Sequence, residues 1–235
     1  MLRAARRDFQ AATATGQRFH GMAVADKQTG SFLASINGPA PVQPTGFLTA
    51  ISTSGSLDVF DEVQPAIGPY EPQPVACRDF DPRNAEIARQ VAALIARHLP
   101  SARAEHIGST AVPGCGGRGI VDLLIAHADG EAETLGVLLD RLGFRQSGAA
   151  LFPPHPPAYK GAWVHNGDTF LLHVHLLPAS AAEVDSIRFF RTCMRADTEL
   201  ARAYVQQKRA IVASGVTDEA EYCRQKATFL SMVLG

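Results

Sequence analysis

A carboxylate in the middle of an apolar run sets the strongest condition on how this chain folds. The run Ile120-Val-Asp-Leu-Leu-Ile125 lies inside a segment from Gly119 to Ala128 that has the length and composition of a buried strand. A buried strand holds a charge only where that charge is paired, hydrogen-bonded or bound to a metal ion. The sequence therefore predicts a site at Asp122.

A Gly-rich bend precedes this strand and suggests what the site binds. An extended segment, Ala102 to Ile107, ends on Gly108-Ser109-Thr110. Glycine lets a ligand approach the backbone, and the hydroxyls and amides that follow can donate to phosphate oxygens. Arg118, between the bend and Asp122, is a further phosphate candidate. Together these residues predict a nucleotide and metal site.

Two histidines on a later strand could complete that site. Alternation along the strand from Thr169 to Leu177 puts His173 and His175 on the same face. Two such side chains, about 7 Å apart along the strand, can share one metal ion or flank one phosphate. The alternative is an ordinary half-buried face with hydrogen-bonded histidines, and the strand pattern leaves both interpretations open.

Basic residues of the C-terminal helices are weaker candidates. Arg188, Arg191 and Arg195 follow one helix face, and Tyr204 and Lys208 are one turn apart on the next helix. Arginine can hold phosphate with two parallel hydrogen bonds, so Arg191 and Lys208 are predicted phosphate ligands. The alternative is a solvated face with surface ion pairs.

Three familiar site types are disfavoured. The run Gly114-Cys-Gly-Gly-Arg-Gly119 matches G-x-G-x-x-G, but a strand follows it where a dinucleotide site requires a helix. The chain has no P-loop motif. A triad of Ser109, His106 and Asp122 is disfavoured because neighbouring strand residues seldom supply all three geometries.

Composition limits the classes of partner and compartment. The net charge of −1 gives no indication of nucleic-acid binding, and no apolar run reaches the length of a membrane span. Four scattered cysteines without a C-x-x-C pair form neither a zinc ribbon nor a disulfide framework, which favours a reducing cytoplasm.

The order of predicted elements indicates an α/β (α+β) fold, a mixed sheet with flanking helices and a helical C-terminal region. Residues 1–65, with few charges, are expected to be an extension, either flexible or a small hairpin, and residues 66–235 one domain. A helix from Asp81-Pro82 ends before Pro100, a hairpin turns at Asn166-Gly167, and three helices follow Pro178.

Several motifs resemble one family, the GrpB-like (UPF0157) proteins, which belong to the nucleotidyltransferase superfamily. The matching runs are Glu105 to Gly114, Ile120-Val-Asp122, Leu172-His-Val-His175, Phe190-Arg191, and Tyr204 with Lys208-Arg209. The resemblance extends from about Pro69 to the C-terminus. It implies that Gly108-Ser109 is the phosphate-binding turn and Asp122 the first metal-binding carboxylate of a nucleotidyltransferase-like mixed sheet.

The resemblance also defines the functional hypotheses. The superfamily mechanism uses two Mg²⁺ ions and a second acid two positions after the first, where this chain has Leu124. A later strand offers His173 and His175 in place of a third carboxylate. We therefore expect Asp122, His173 and His175 to be catalytic and metal-binding, with Mg²⁺ or Mn²⁺ as cofactor, a nucleotide or phosphorylated small molecule as ligand, and NMP transfer to an unknown acceptor. The alternatives are an inactive nucleotide-binding module and a metal-dependent hydrolase using the His-x-His strand.

Overall fold

The computed structural model describes residues 60–148 and 156–234 of the chain. Most of the expected extension, residues 1–65, lies outside these ranges. Within residues 60–65, Phe60 and Val63 are buried in the main hydrophobic core. This short part of the expected extension therefore packs with the domain.

Five strands and five α-helices make up most of the described chain, with three strands and then three helices in succession at its end. The strands are β1 Ala104–Ile107, β2 Val121–His127, β3 Arg145–Gln146, β4 Tyr159–His165 and β5 Asp168–Pro178. The helices are α1 Arg83–His98, α2 Ala132–Leu142, α3 Ala182–Ala196, α4 Thr198–Ala213 and α5 Glu219–Leu234. The predicted mixed α+β fold with a helical C-terminal region is confirmed.

The strands form one mixed sheet in the order β1-β2-β5-β4-β3. Only β2 and β5 run parallel; the other neighbouring pairs are antiparallel. The β4–β5 hairpin turns at Asn166 and Gly167, which both have positive φ, 52° and 84°. That is the backbone a two-residue hairpin turn of this sequence requires.

Local signals set the ends of several helices. The apolar stripe of α1 is buried at Ile87, Val91 and Ile95, and the helix ends at His98, just before Pro100. Gly143 ends α2 in the left-handed conformation with φ 108°. The carboxylate of Asp197 accepts a hydrogen bond from the Leu200 amide, 3.0 Å, and caps α4.

The two faces of the sheet have different roles. One face carries Val121, Leu123 and Val174 into the main core beneath α1 and α2. The opposite face carries Asp122, Leu124, His173 and His175, because strand side chains alternate. The C-terminal helices lie on the side of this second face: Val184 of α3 packs with Leu124. The sheet thus separates an apolar core from a polar site. Among the described helices, none combines the length and apolar content needed to cross a bilayer.

Candidate metal and phosphate site

The parallel pairing of β2 with β5 assembles the centre of the site. In this register Asp122 is opposite His173, and Leu124 is opposite His175. Paired residues of adjacent strands point to the same face, so the carboxylate and both imidazoles project together. The structure therefore brings together the three residues that the sequence proposes as metal ligands.

The three side chains converge around the Asp122 carboxylate. Its Oδ1 lies 3.5 Å from Nδ1 of His173 and 3.5 Å from Nε2 of His175. One potential ligand atom from each residue lies within 4.8 Å of the other two. His173 is 1% exposed and the Asp122 side chain 23% exposed, so the cluster is enclosed but remains accessible from the carboxylate side.

One nitrogen of the cluster is buried without a hydrogen-bond partner among the described residues. This nitrogen is Nδ1 of His173. The other ring nitrogen, Nε2, lies 3.2 Å from the Tyr70 hydroxyl. A histidine that binds a metal through one nitrogen commonly donates from the other to an oxygen, which fixes its orientation. Tyr70 occupies that second position.

The electrostatics of the cluster favour a carboxylate beside neutral imidazole. Burial tends to raise the pKa of the Asp122 carboxyl, but the adjacent imidazoles of His173 and His175 outweigh this and hold that pKa below its usual range. Burial lowers the pKa of His173, which favours its neutral form. An ionised carboxylate and neutral imidazoles are the forms that bind metals.

The Gly-Ser turn adjoins the same carboxylate. Gly108 has φ 71° and ψ −170°, and a Cβ at this position would lie 2.6 Å from Oδ2 of Asp122. Ser109 begins a short 3₁₀ turn. Its Oγ lies close to Gly117, because a Cβ added to Gly117 would be only 2.4 Å from it. The predicted cradle and the strand carboxylate are therefore neighbours in space.

Thr110, the third predicted cradle residue, points inward. Its hydroxyl donates to the Ile120 carbonyl, 3.1 Å, and lies 3.0 Å from Nε2 of His106. Burial lowers the pKa of His106 to about 4, so the ring is neutral at ordinary pH. Thr110 therefore joins the two ends of the bend through its side chain.

The structure separates the predicted basic ligands into two groups. Arg118 lies on the side of the site, where its guanidinium is 2.7 Å from Glu219 and 17% exposed. Arg191 donates to the His106 carbonyl, 2.8 Å, and to Glu105, 3.2 Å. Lys208 is 2% exposed and donates to the Gly116 carbonyl. Arg191 and Lys208 thus brace the backbone of the bend, and their role toward phosphate stays a prediction.

Two charged residues near the site were missed by sequence reasoning. Lys160 of β4 pairs with His173 across the sheet, and its ammonium lies 5.3 Å above the Tyr70 ring. Like Asp122, Lys160 is a charged residue inside a largely buried strand, so the sequence contained a signal for it. Glu219, at the start of α5, lies 3.6 Å from Lys160. Its position depends on how α5 packs, and no local pattern indicates it.

Comparison with known proteins agrees with the family resemblance that the sequence motifs indicate. A family profile described as GrpB protein matches residues 74–235, more than half of the chain. A UPF0157 protein of Pseudomonas aeruginosa is 30% identical over 144 residues, covering 58% of this chain and 56% of its own length. The chain therefore spans only about half of that relative.

Two further similarities cover more of the compared protein. A UPF0157 protein of Streptomyces coelicolor is 30% identical over 162 residues, covering 68% of this chain and 83% of that relative. The crystal structure of conserved protein GrpB from Enterococcus faecalis aligns with a TM-score of 0.51 at 19% identity, covering 67% of this chain and 98% of that one. The fold and the sequence relationships agree, and the chain belongs to the GrpB family.

Proposed function

We propose that this protein binds a divalent metal ion through Asp122, His173 and His175, and that the site takes the phosphate group of a nucleotide or another phosphorylated small molecule. The observation that carries the proposal is the buried Nδ1 of His173, which faces the Asp122 carboxylate without a hydrogen-bond partner among the described residues. A buried polar atom of this kind costs free energy unless something binds it. A metal ion between the three side chains supplies that partner.

The ligand set favours some divalent ions over others. Mg²⁺ prefers six oxygen ligands, whereas imidazole nitrogen suits Mn²⁺ and Zn²⁺ better. One carboxylate and two imidazoles also leave coordination positions for ligand oxygens. We therefore expect Mn²⁺ or Zn²⁺ to bind more tightly than Mg²⁺.

The phosphate part of the proposal rests on neighbouring residues. Gly108 lies against Asp122, and Ser109 follows it directly, so the amides and hydroxyl of this turn are close to the proposed metal. Arg118 adds a cation nearby, because it pairs with Glu219, which lines the same pocket as His173. Amides, a hydroxyl and guanidinium are the groups that bind phosphate oxygens.

The residue at position 124 favours ligand binding over the transfer of NMP. It occupies the position of the expected second carboxylate, and it is fully buried with Ile107, Leu177 and Val184. An apolar residue there supports binding through one metal and gives no support to a two-metal transfer of NMP. The His-x-His and carboxylate set supports a second candidate, metal-dependent hydrolysis, because three protein ligands with an open position are typical of catalytic metal sites.

Calorimetric titration of Mn²⁺, Zn²⁺ and Mg²⁺ into metal-free protein tests the first step. Asp122→Ala and His173→Gln are expected to lose binding, whereas His165→Asn, on the exposed end of the β4–β5 hairpin, should keep it. A second titration with ATP and its non-hydrolysable analogue, with and without metal, tests the phosphate ligand. Equal metal affinity in wild type and Asp122→Ala would contradict the proposal.

Product analysis separates the chemical alternatives. Incubation with radiolabelled nucleoside triphosphates and Mn²⁺ leaves the label unchanged if the protein only binds. Release of labelled phosphate that His173→Gln abolishes would favour the hydrolase, and label on an added RNA, protein or small molecule would favour transfer.

The cellular compartment of the protein is a separate prediction. All four cysteines are free thiols, and the buried Cys115 sulfur lies 3.5 Å from the Lys208 ammonium. Unpaired cysteines are typical of a reducing compartment, so we expect the protein to act in the cytoplasm. Fractionation of cells that carry a tagged copy tests this expectation.

A further inference from the structure

Glu219 connects two cations that are more deeply buried than it is. Its Oε1 lies 2.7 Å from the Arg118 guanidinium, and its Oε2 lies 3.6 Å from the Lys160 ammonium. The side chains of Arg118 and Lys160 are 17% and 9% exposed, whereas that of Glu219 is 41% exposed. The cations therefore belong to the wall of the site, and the carboxylate reaches them from outside.

A pocket of about 200 Å³ lies beside Lys160 and Glu219. Lys160, His173, Asp218, Glu219 and Cys223 line it. Because His173 belongs to both the pocket and the proposed metal cluster, a group bound in the pocket lies next to that cluster. The Tyr70 ring, beneath the Lys160 ammonium at 5.3 Å, limits where this cation can move.

We infer that Lys160, which lines this pocket, and Arg118, which pairs with Glu219 at its edge, form a phosphate site, and that Glu219 occupies the site from within the chain until a phosphate group displaces it. Two largely buried cations that share one carboxylate require a counter-charge. Glu219 supplies one carboxylate, which reaches Lys160 only at 3.6 Å. A phosphate group offers three oxygens and more charge, so it can pair with the guanidinium through two bonds and also contact the ammonium.

The inference deepens the proposed function and rests on it for the identity of the ligand, but it does not require the metal. The Glu219 carboxylate competes with phosphate for the same donors, so removing its charge must strengthen phosphate binding. Removing a cation must weaken it. Opposite effects of two charge-neutralising changes in one pocket distinguish a displaceable carboxylate from a simple structural ion pair.

The experiment measures the Kd of inorganic phosphate for metal-free full-length protein in EDTA, at constant ionic strength, for four proteins. Glu219→Gln should bind phosphate about five-fold tighter than wild type, and Lys160→Gln about ten-fold weaker, since the net contribution of one typical hydrogen bond corresponds to factors of this size. Asp218→Asn is the matched control, because Asp218 also lines the pocket and its side chain caps the Glu221 amide, which asparagine can do equally well. Its Kd should stay within about two-fold of wild type.

Each result decides the inference. Glu219→Gln is a change at a partly exposed residue, so thermal unfolding is expected to show that it folds, and it carries the test even if Lys160→Gln does not fold. Unchanged or weaker phosphate binding by Glu219→Gln, or the same tightening in Asp218→Asn, would overturn the inference. Failure of metal binding with tighter phosphate binding in Glu219→Gln would remove the proposed metal site and leave the phosphate site standing.

Discussion

Gly108 lies directly against Asp122: a Cβ on this glycine would be 2.6 Å from Oδ2 of the carboxylate. The glycine has φ 71° and ψ −170°, a region that side chains rarely adopt. The turn before the 3₁₀ segment and the carboxylate on β2 are therefore a single unit. Neither position tolerates a larger group without moving the other.

Replacing Gly108 with alanine should damage both the fold and the metal site. Backbone strain alone is expected to cost about 1 to 3 kcal/mol, and contact with Asp122 should add to that and displace the carboxylate. Gly114→Ala is the control, because Gly114 also has positive φ, 74°, but a Cβ there meets nothing within 4 Å. Urea unfolding and metal titration of both variants should show loss of metal affinity only in Gly108→Ala. Equal behaviour of the two would mean that strain alone matters.

Tyr70→Phe tests how His173 is oriented. The variant removes the hydroxyl 3.2 Å from Nε2 and leaves the ring in place. We expect metal affinity to fall about ten-fold, as for other partners that orient a metal-binding histidine, with little change in the melting temperature. Tyr159→Phe, on the opposite face of the sheet with its hydroxyl beside Gly136, should leave metal affinity unchanged. A Tyr70→Phe protein with wild-type affinity would show that Tyr70 does not position the ring.

Glu105 should make stability depend on pH. Burial tends to raise the pKa of this carboxyl, but hydrogen bonds and charge from Arg188 and Arg191 outweigh it and lower the pKa below its ordinary 4.5. A carboxyl with a lower pKa in the folded state stabilises the protein above the unfolded-state pKa, and this contribution is lost as the pH falls through the folded-state value.

Glu105→Gln is therefore expected to lower the free energy of unfolding by about 1 to 2 kcal/mol at neutral pH. The difference from wild type should shrink as the pH falls below 4.5. Urea unfolding across a pH series measures this difference in the free energy of unfolding. Glu199→Gln is the control, because Glu199 belongs to an exposed ion pair that contributes little to stability. A difference that stays constant down to acid pH would contradict the ion-pair explanation.

Lys208→Met tests the role of a buried cation. Its ammonium donates to the Gly116 carbonyl and lies 4.2 Å from the centre of the Tyr204 ring. The variant leaves that carbonyl without its donor, so we expect a loss of about 1 to 3 kcal/mol in chemical unfolding. Lys226→Met, whose ammonium lies 5.7 Å from the Tyr222 ring, should cost less. Loss of nucleotide affinity at unchanged stability would instead support the predicted phosphate-binding role of Lys208.

Leu124→Asp tests whether the chain can accept the missing second acid. The new carboxylate would enter an apolar cluster with Ile107, Leu177 and Val184. Burying an unpaired charge there is expected to cost at least about 3 kcal/mol, and Leu124→Met less than about 1.5 kcal/mol. Thermal unfolding checks both values. A stable Leu124→Asp protein that transferred NMP would show that the transferase site is nearly complete.

The sequence by itself determined the elements and the residues of the central cluster. The helix that ends before Pro100 and the Asn166-Gly167 turn follow from local signals, and each appears at the predicted position. Asp122 was recognisable because a charge within an apolar run requires a partner. His173 and His175 were recognisable as a pair because side chains alternate along a strand.

Only the tertiary structure decided which groups meet. The parallel register that places His173 opposite Asp122 depends on contacts between distant segments. The packing of α5 brings Glu219 to Arg118 and Lys160, and the packing of α4 turns Lys208 into the bend. Periodicity specifies which face of an element is apolar, but the angle and register at which two elements pack depend on side chains from both. For this reason the sequence indicated the cluster of possible metal ligands and missed the pocket lined by Lys160 and Glu219 beside it.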